Sequence, residues 1–235
     1  MTAGLQVWNG SHALQIDGEN SHVILLRKGS AIGTALPNSV SSPSPAYSYV
    51  NISLNPGELL ALNCPNGGRT CIAGNYRGQM QVHIEGAPGV EVDYWVFGPY
   101  KPSGIRYGME IYDDNGTMIY DSGRLPLRVV KTITGSGTFT AAAPGRRCAL
   151  ICRQQNVSFQ VLNYAVTQNR VNCILYFTAG FANIDSNGSV TISDEQYTAD
   201  IQSNLDPNSL PDWWRLGGWN SNLDNSYVVV DVTDY

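Results

Sequence analysis

Charge is scarce in this chain. Asp, Glu, Lys and Arg make up 14% of the 235 residues, against roughly 25% in ordinary soluble domains. The net charge is −5, and the only basic clusters are the pairs Arg27-Lys28 and Arg146-Arg147. That balance argues against a nucleic-acid partner, because phosphate contacts need clustered Lys and Arg. No run of 18 apolar residues occurs, so no membrane-spanning helix is expected. The start, MTAGLQVWNG, has no basic segment leading into an apolar stretch. The expectation is synthesis in the cytoplasm without a secretory signal.

Catalytic signatures are missing as well. There are three histidines, His12, His22 and His83, the first two in or near a turn and the third within a strand pattern. No G-x-S-x-G elbow, H-E-x-x-H pair or Gly-rich phosphate loop is present, which leaves no motif for Ser/His, zinc or phosphoryl chemistry. The expectation is a protein that is not an enzyme, with no catalytic residue, cofactor or metal. Carboxylates that a glycoside hydrolase would need are present as Glu85, Glu91, Asp93, Glu110, Asp194 and Glu195. Glu91 and Asp93 fall on one face of a strand, about 7 Å apart. Asp113-Asp114-Asn115-Gly116 is similar to part of a calcium loop, but the acidic residue twelve positions along is absent, so it reads as a turn.

Five cysteines, Cys64, Cys71, Cys148, Cys152 and Cys173, give an odd count that fits reduced thiols. Cys64 and Cys71 bracket the PNGGRT loop, so a bridge across a hairpin neck stays open for that pair. Cys148 and Cys152 sit on an alternating strand pattern, which would hold them about 13 Å apart.

Strand signals are plentiful. Twenty-four glycines and 13 tyrosines accompany abundant Asn and Ser, and no amphipathic helix is legible beyond one turn around 194–200. Candidate strands recur every 8 to 12 residues, with turn pairs such as Asn9-Gly10 between them, the spacing of an all-β sandwich. GLQVWNGSHALQID at Gly4–Asp17 is echoed 104 residues later by GMEIYDDNGTMIYD at Gly108–Asp121, without a gap. That period is too long for a solenoid and matches the size of one small domain. The expected fold is all-β, two tandem β-sandwich-like modules joined by a short linker, with long irregular arms. Residues 1–100 form the first module, with a Pro/Ser-rich arm at 33–48. Pro99–Gly104 is the linker. Residues 105–235 form the second, with a Trp-rich loop at 202–226. In that loop Trp213, Trp214, Trp219 and Asn220 are candidates for a subunit interface or a glycan contact, since aromatics favour both.

The second copy of the repeat carries a family likeness. The segment from Tyr107 to Arg124, YGMEIYDDNGTMIYDSGR, followed by Leu127-Arg128-Val129-Val130, resembles the opening of small tail proteins of long-tailed bacteriophages. Those begin with a YGL-x-V-x-N-x-x-G-x-x-x-x-D-S hairpin and run on into a β domain. Gly4–Asp17 is a shorter form of the same motif. The resemblance implies a virion structural protein of the tail tip, baseplate or tail fibre, without enzymatic activity. It also implies other tail proteins as partners and a homo-oligomer, expected as a trimer. Two other functions remain open at this stage: a receptor-binding module for host-surface glycan or an outer-membrane protein, and a glycan depolymerase.

Overall fold

The computed structural model describes residues 6–8, 14–17, 22–35, 47–76, 78–99, 101–104, 108–167, 170–205, 218–221 and 223–235. All regular structure there is strand. The first half holds β1 (Gln6–Trp8), β2 (Leu14–Asp17), β3 (Ile24–Ile32), β4 (Thr34–Ala35), β5 (Tyr47–Ser53), β6 (Leu59–Asn63), β7 (Thr70–Tyr76), β8 (Gln79–Glu85) and β9 (Glu91–Gly98). The second holds β10 (Glu110–Tyr112), β11 (Met118–Asp121), β12 (Val129–Thr134), β13 (Gly137–Thr140), β14 (Cys148–Gln154), β15 (Val157–Thr167), β16 (Arg170–Ile184), β17 (Ser189–Leu205), β18 (Gly218–Asn220) and β19 (Ser226–Asp231). The turn expected at 194–200 is therefore strand. So are both flanks of the arm expected at 202–226, because cross-strand pairing to β16 holds the chain extended. The short β4 and β18 carry no sequence signal of their own, being set by the neighbours they pair with.

Two sheets face each other. One has six strands in the order β12-β19-β14-β6-β9-β3, and the other nine, along the path β13-β17-β16-β7-β8-β5-β4 with β15 and β18 attached to β16. Both sheets run across both halves of the chain. The first is continuous through Leu150↔Leu62 and Ile151↔Ala61, the second through Ala182↔Thr70.

The order of strands is a duplication written in three dimensions. Reading inward from one side gives β3-β9-β6, and from the other β12-β19-β14. In the second sheet the same reading gives β5-β8-β7 against β13-β17-β16. Equivalent strands, β6 with β14 and β7 with β16, meet antiparallel at the centre. A local twofold axis perpendicular to both sheets relates the halves. The register agrees residue by residue where the sequence repeat is strongest. Gln6↔Asp17, Val7↔Ile16 and Trp8↔Leu14 recur 104 residues on as Glu110↔Asp121, Ile111↔Tyr120 and Tyr112↔Met118, each ladder with its irregularity at the same step. The bulge that skips Leu26 in β3 recurs at Val130 in β12, again 104 positions later.

Each half has its own inter-sheet core. Val50, Ile52, Leu60, Leu62, Val82, Ile84, Val92 and Val96 fill the first. Ile133, Leu150, Ile184, Val190, Ile192, Tyr227 and Val229 fill the second. The outer faces are buried too, and there the halves share clusters. Trp95 and Phe97 pack with Ala149, Ile151, Val230 and Tyr235 on the back of the six-stranded sheet. Tyr47 and Cys71 pack with Ala179 and Phe181 on the back of the nine-stranded one. Strands buried on both faces read as continuous apolar runs rather than alternation, as in VDYWVF of β9 and YVVV of β19. Each fully buried large side chain contributes about 1.5–3 kcal/mol, so the shared clusters bind the halves far more firmly than the three ladder pairs do.

The sulfur atoms follow this layering. Cys64, Cys71, Cys148 and Cys152 are free thiols. Cys64 belongs to the first inter-sheet core and Cys71 to the outer cluster; the sheet separates them, and no bridge joins them. Burial pushes the Cys64 thiol up to about 12 and that of Cys152 to about 11.

Candidate functional site

The hairpin that carries the family likeness is built from turn and capping chemistry. Asp113 Oδ1 accepts from the N–H groups of Asn115 (2.9 Å) and Thr117 (2.7 Å), while Gly116 supplies the left-handed φ of 78°. This is a self-bonding Asx turn, and it occupies the carboxylate oxygen that a calcium loop would need. At the base, Ser122 Oγ accepts from Met109 N–H at 2.8 Å and Ser122 N–H donates to Met109 carbonyl at 2.9 Å. Asp121, 2% exposed, accepts from the N–H of Ser103 (2.9 Å) and of Gly123 (2.7 Å). Arg124 Nε donates to Lys101 carbonyl at 2.9 Å. The Asp-Ser of the motif therefore closes the hairpin and ties it to the linker at Lys101–Ser103. Outward, the hairpin presents Met109 and Tyr112, 44% and 50% exposed.

A second constellation lies on the back of the nine-stranded sheet, where the halves meet. Arg69 makes a two-pronged contact to Glu85, Nε to Oε2 at 2.5 Å and Nη2 to Oε1 at 2.7 Å. Its Nη1 donates to Glu195 Oε1 at 2.7 Å and to Ser193 Oγ. One guanidinium thus joins carboxylates from the two halves. The Arg69 guanidinium holds the Glu85 carboxyl below the usual range. Burial, then Glu195 and Glu85, pushes the Tyr47 phenol up to about 12. Arg69→Met leaves the two carboxylates facing one another with no cation between them. Because all three groups keep some contact with water, the expected loss is about 1–2 kcal/mol. Chemical denaturation checks it, and the loss shrinks when Glu195→Gln is added.

Polar side chains also fill the gap where β16 changes partners from β7 to β15. The Gln155 side-chain amide accepts from Ile72 N–H (3.0 Å) and donates to Ile72 carbonyl (3.3 Å), standing in for a strand residue. Asn225, 2% exposed, accepts from Asn156 N–H at 2.8 Å and donates to Asp194 Oδ1 at 2.9 Å.

The remaining candidate carboxylates are engaged in contacts of the fold. Asp93 accepts from Ser30 Oγ (2.5 Å) and Arg147 Nη2 (2.7 Å), and Arg147 lies over the Trp95 ring, 5.0 Å from its centre. Glu110 accepts from the Tyr112 hydroxyl at 2.7 Å. Two clefts open at the seam. One, of about 370 Å³, is lined by Asn63, Pro65, Arg146, Arg147 and Asp185. The other, of about 320 Å³, is lined by Leu54, Ile72, Met80, Cys152 and Gln155. His83 is buried between Val82 and Ile84 and keeps its imidazole neutral, its pKa lowered to about 4 by burial.

The two halves differ in one respect. β6 passes to β7 through residues 64–69, whereas β14 is followed by the added strand β15 and by a much longer β16 and β17. The added ladder, β18-β15-β16-β17, is a blade present only in the second half. On it Trp219 is opposite Phe159, which is opposite Phe177 in turn, and Asn220, which is exposed, is opposite Ser158. Trp219 and Asn220 are thus placed by the backbone of β18. Trp213 and Trp214 lie outside the described residues.

The chain was compared with protein-family models, with curated proteins and with solved structures, and none of the three yields a match.

Proposed function

We propose that this chain is a structural component of a bacteriophage tail tip, baseplate or tail fibre, working by assembly with other tail proteins and supporting host attachment. One observation carries the reading. The tail-protein motif at Tyr107–Arg124 is present in two copies, at Gly4 and Gly108, whose hairpins pair in the same register with the same irregularity. The Asp-Ser of that motif has a clear structural duty at Asp121 and Ser122. The low charge of 14% suits a subunit that its neighbours cover. Exposed Met109, Tyr112 and Leu125 around the second hairpin are the sort of apolar surface that a partner buries. Homo-oligomerisation, as a trimer, belongs to the same reading, as does residence in the virion.

The test is virion composition. Particles banded to constant density contain the chain at a fixed ratio to the major tail protein if it is a tail subunit. Its loss from banded particles while it persists in the lysate overturns the reading.

A further inference from the structure

Charge is divided unevenly along the chain. Between Val171 and Trp214 there is no Lys or Arg, while Asp185, Asp194, Glu195, Asp200, Asp206 and Asp212 all fall there. The whole net charge of −5 belongs to this stretch, and everything outside it is positive by one. Much of the stretch is the β16–β17 ladder of the blade.

The strand edges are divided in a matching way. β13 covers β17 from Ser189 to Ile192 only. Beyond that, no strand among the described residues pairs with the outer edge of β17. Thr198–Gln202 is its longest stretch there without a break in register. An open edge is a template for another strand unless a bulge, a Lys or shortness blocks it. β4, β13 and β18 are short, and β3 and β12 each carry a bulge and a lysine, Lys28 and Lys131. The β17 edge has no lysine. Two β17 edges side by side would bring Asp200 of each chain together, and like charges across strands repel. The complementary edge is β12, where Val129, Val130, Lys131 and Thr132 are all exposed, Val129 at 57%, and where Lys131 to Thr134 keep a regular register.

The geometry points to a head-to-tail contact between copies of this chain, in which the acidic β17 edge of one protomer pairs with the basic, apolar β12 edge of the next. Lys131 then serves two purposes, since it deters neutral or basic strands and attracts this acidic one. The contact uses different surfaces on the two protomers, so it propagates, closing into a ring if the rotation allows. It stands independently of the tail reading, which virion composition tests separately.

Sedimentation velocity of the full chain over a range of concentrations and salt tests it. The expected result is reversible association at low salt, weakened at least tenfold in 0.5 M NaCl. Lys131→Glu and Asp200→Lys each weaken association at least tenfold, and together they restore it. Val129→Asp, at an exposed position, weakens it without lowering the melting temperature. A monomer at every concentration in low salt overturns the proposal. So does association indifferent to these changes, or a double variant no better than the singles.

Discussion

Gly180→Ala lowers the melting temperature by about 10 °C, and most of that loss disappears when Asn225→Ala is introduced alongside it. A Cβ on Gly180 would lie 1.8 Å from Asn225 Oδ1 and 2.4 Å from its Cγ, so the two side chains cannot share the space. Expelling Asn225 strands the Asn156 N–H and the Asp194 carboxylate that it now serves. Each orphaned buried group costs about 1–3 kcal/mol, giving about 3–4 kcal/mol in all. In a chain of this size that amounts to roughly 2–4 °C per kcal/mol. Asn225→Ala alone already carries the hydrogen-bond loss, and the second substitution then adds little because the clash has gone. The melting temperatures of the four proteins in the cycle show the non-additivity that adjacent sites require. Additive losses would mean that Asn225 does not hold the junction of the blade and the sandwich.

Acid weakens the fold through His83, by about 2 kcal/mol between pH 7 and pH 5 and about 3 kcal/mol by pH 4. The imidazole is 7% exposed, with Nε2 3.1 Å from Gln81 Oε1, and burial lowers its pKa from 6.5 to about 4. The sign follows from proton counting. Between pH 6.5 and 4 the unfolded chain binds a proton at this site and the folded chain does not, so stability falls as pH falls through that window. Above pH 6.5 both states are neutral there and the contribution is constant. Denaturant unfolding from pH 7 to pH 4 measures the effect. The His83→Gln variant loses the slope above pH 5, where few carboxylates titrate. A slope unchanged in that variant would place the acid sensitivity elsewhere.

How much of this was legible in the sequence depends on how local the cause is. Hairpins were legible because their register is set by neighbours in the chain: the turn at Asp113–Gly116 and the repeat at Gly4 and Gly108 led directly to paired strands of identical register. The all-β class followed from the spacing of such signals. The joining of both sheets across the two halves was not legible. It rests on Leu62↔Leu150, Ala61↔Ile151 and Thr70↔Ala182, pairs far apart in sequence that carry no motif. A hint lay in the unbroken apolar runs of β9 and β19, which call for burial on both faces. The length of β17 was hidden as well, since its polar segment DEQYTADIQSN is strand only because β16 holds it in register. The Arg69 node was equally hidden: Glu85 and Glu195 were visible as separate carboxylates, but nothing in the sequence brings them to one arginine. The tryptophans were legible as a cluster, and the backbone of β18 places Trp219 and Asn220 on the blade.

The central claim is that the chain works as a tail subunit, and immunogold electron microscopy of intact virions tests it most directly. An antibody raised against the whole chain is the suitable label, because Tyr235 is packed against Phe97 and its carbonyl accepts from Lys28, so a tag at residue 235 would disturb the shared cluster. The account predicts gold at the tail, on its tip or fibres, on most particles. Gold absent from virions, or confined to the capsid, would contradict it.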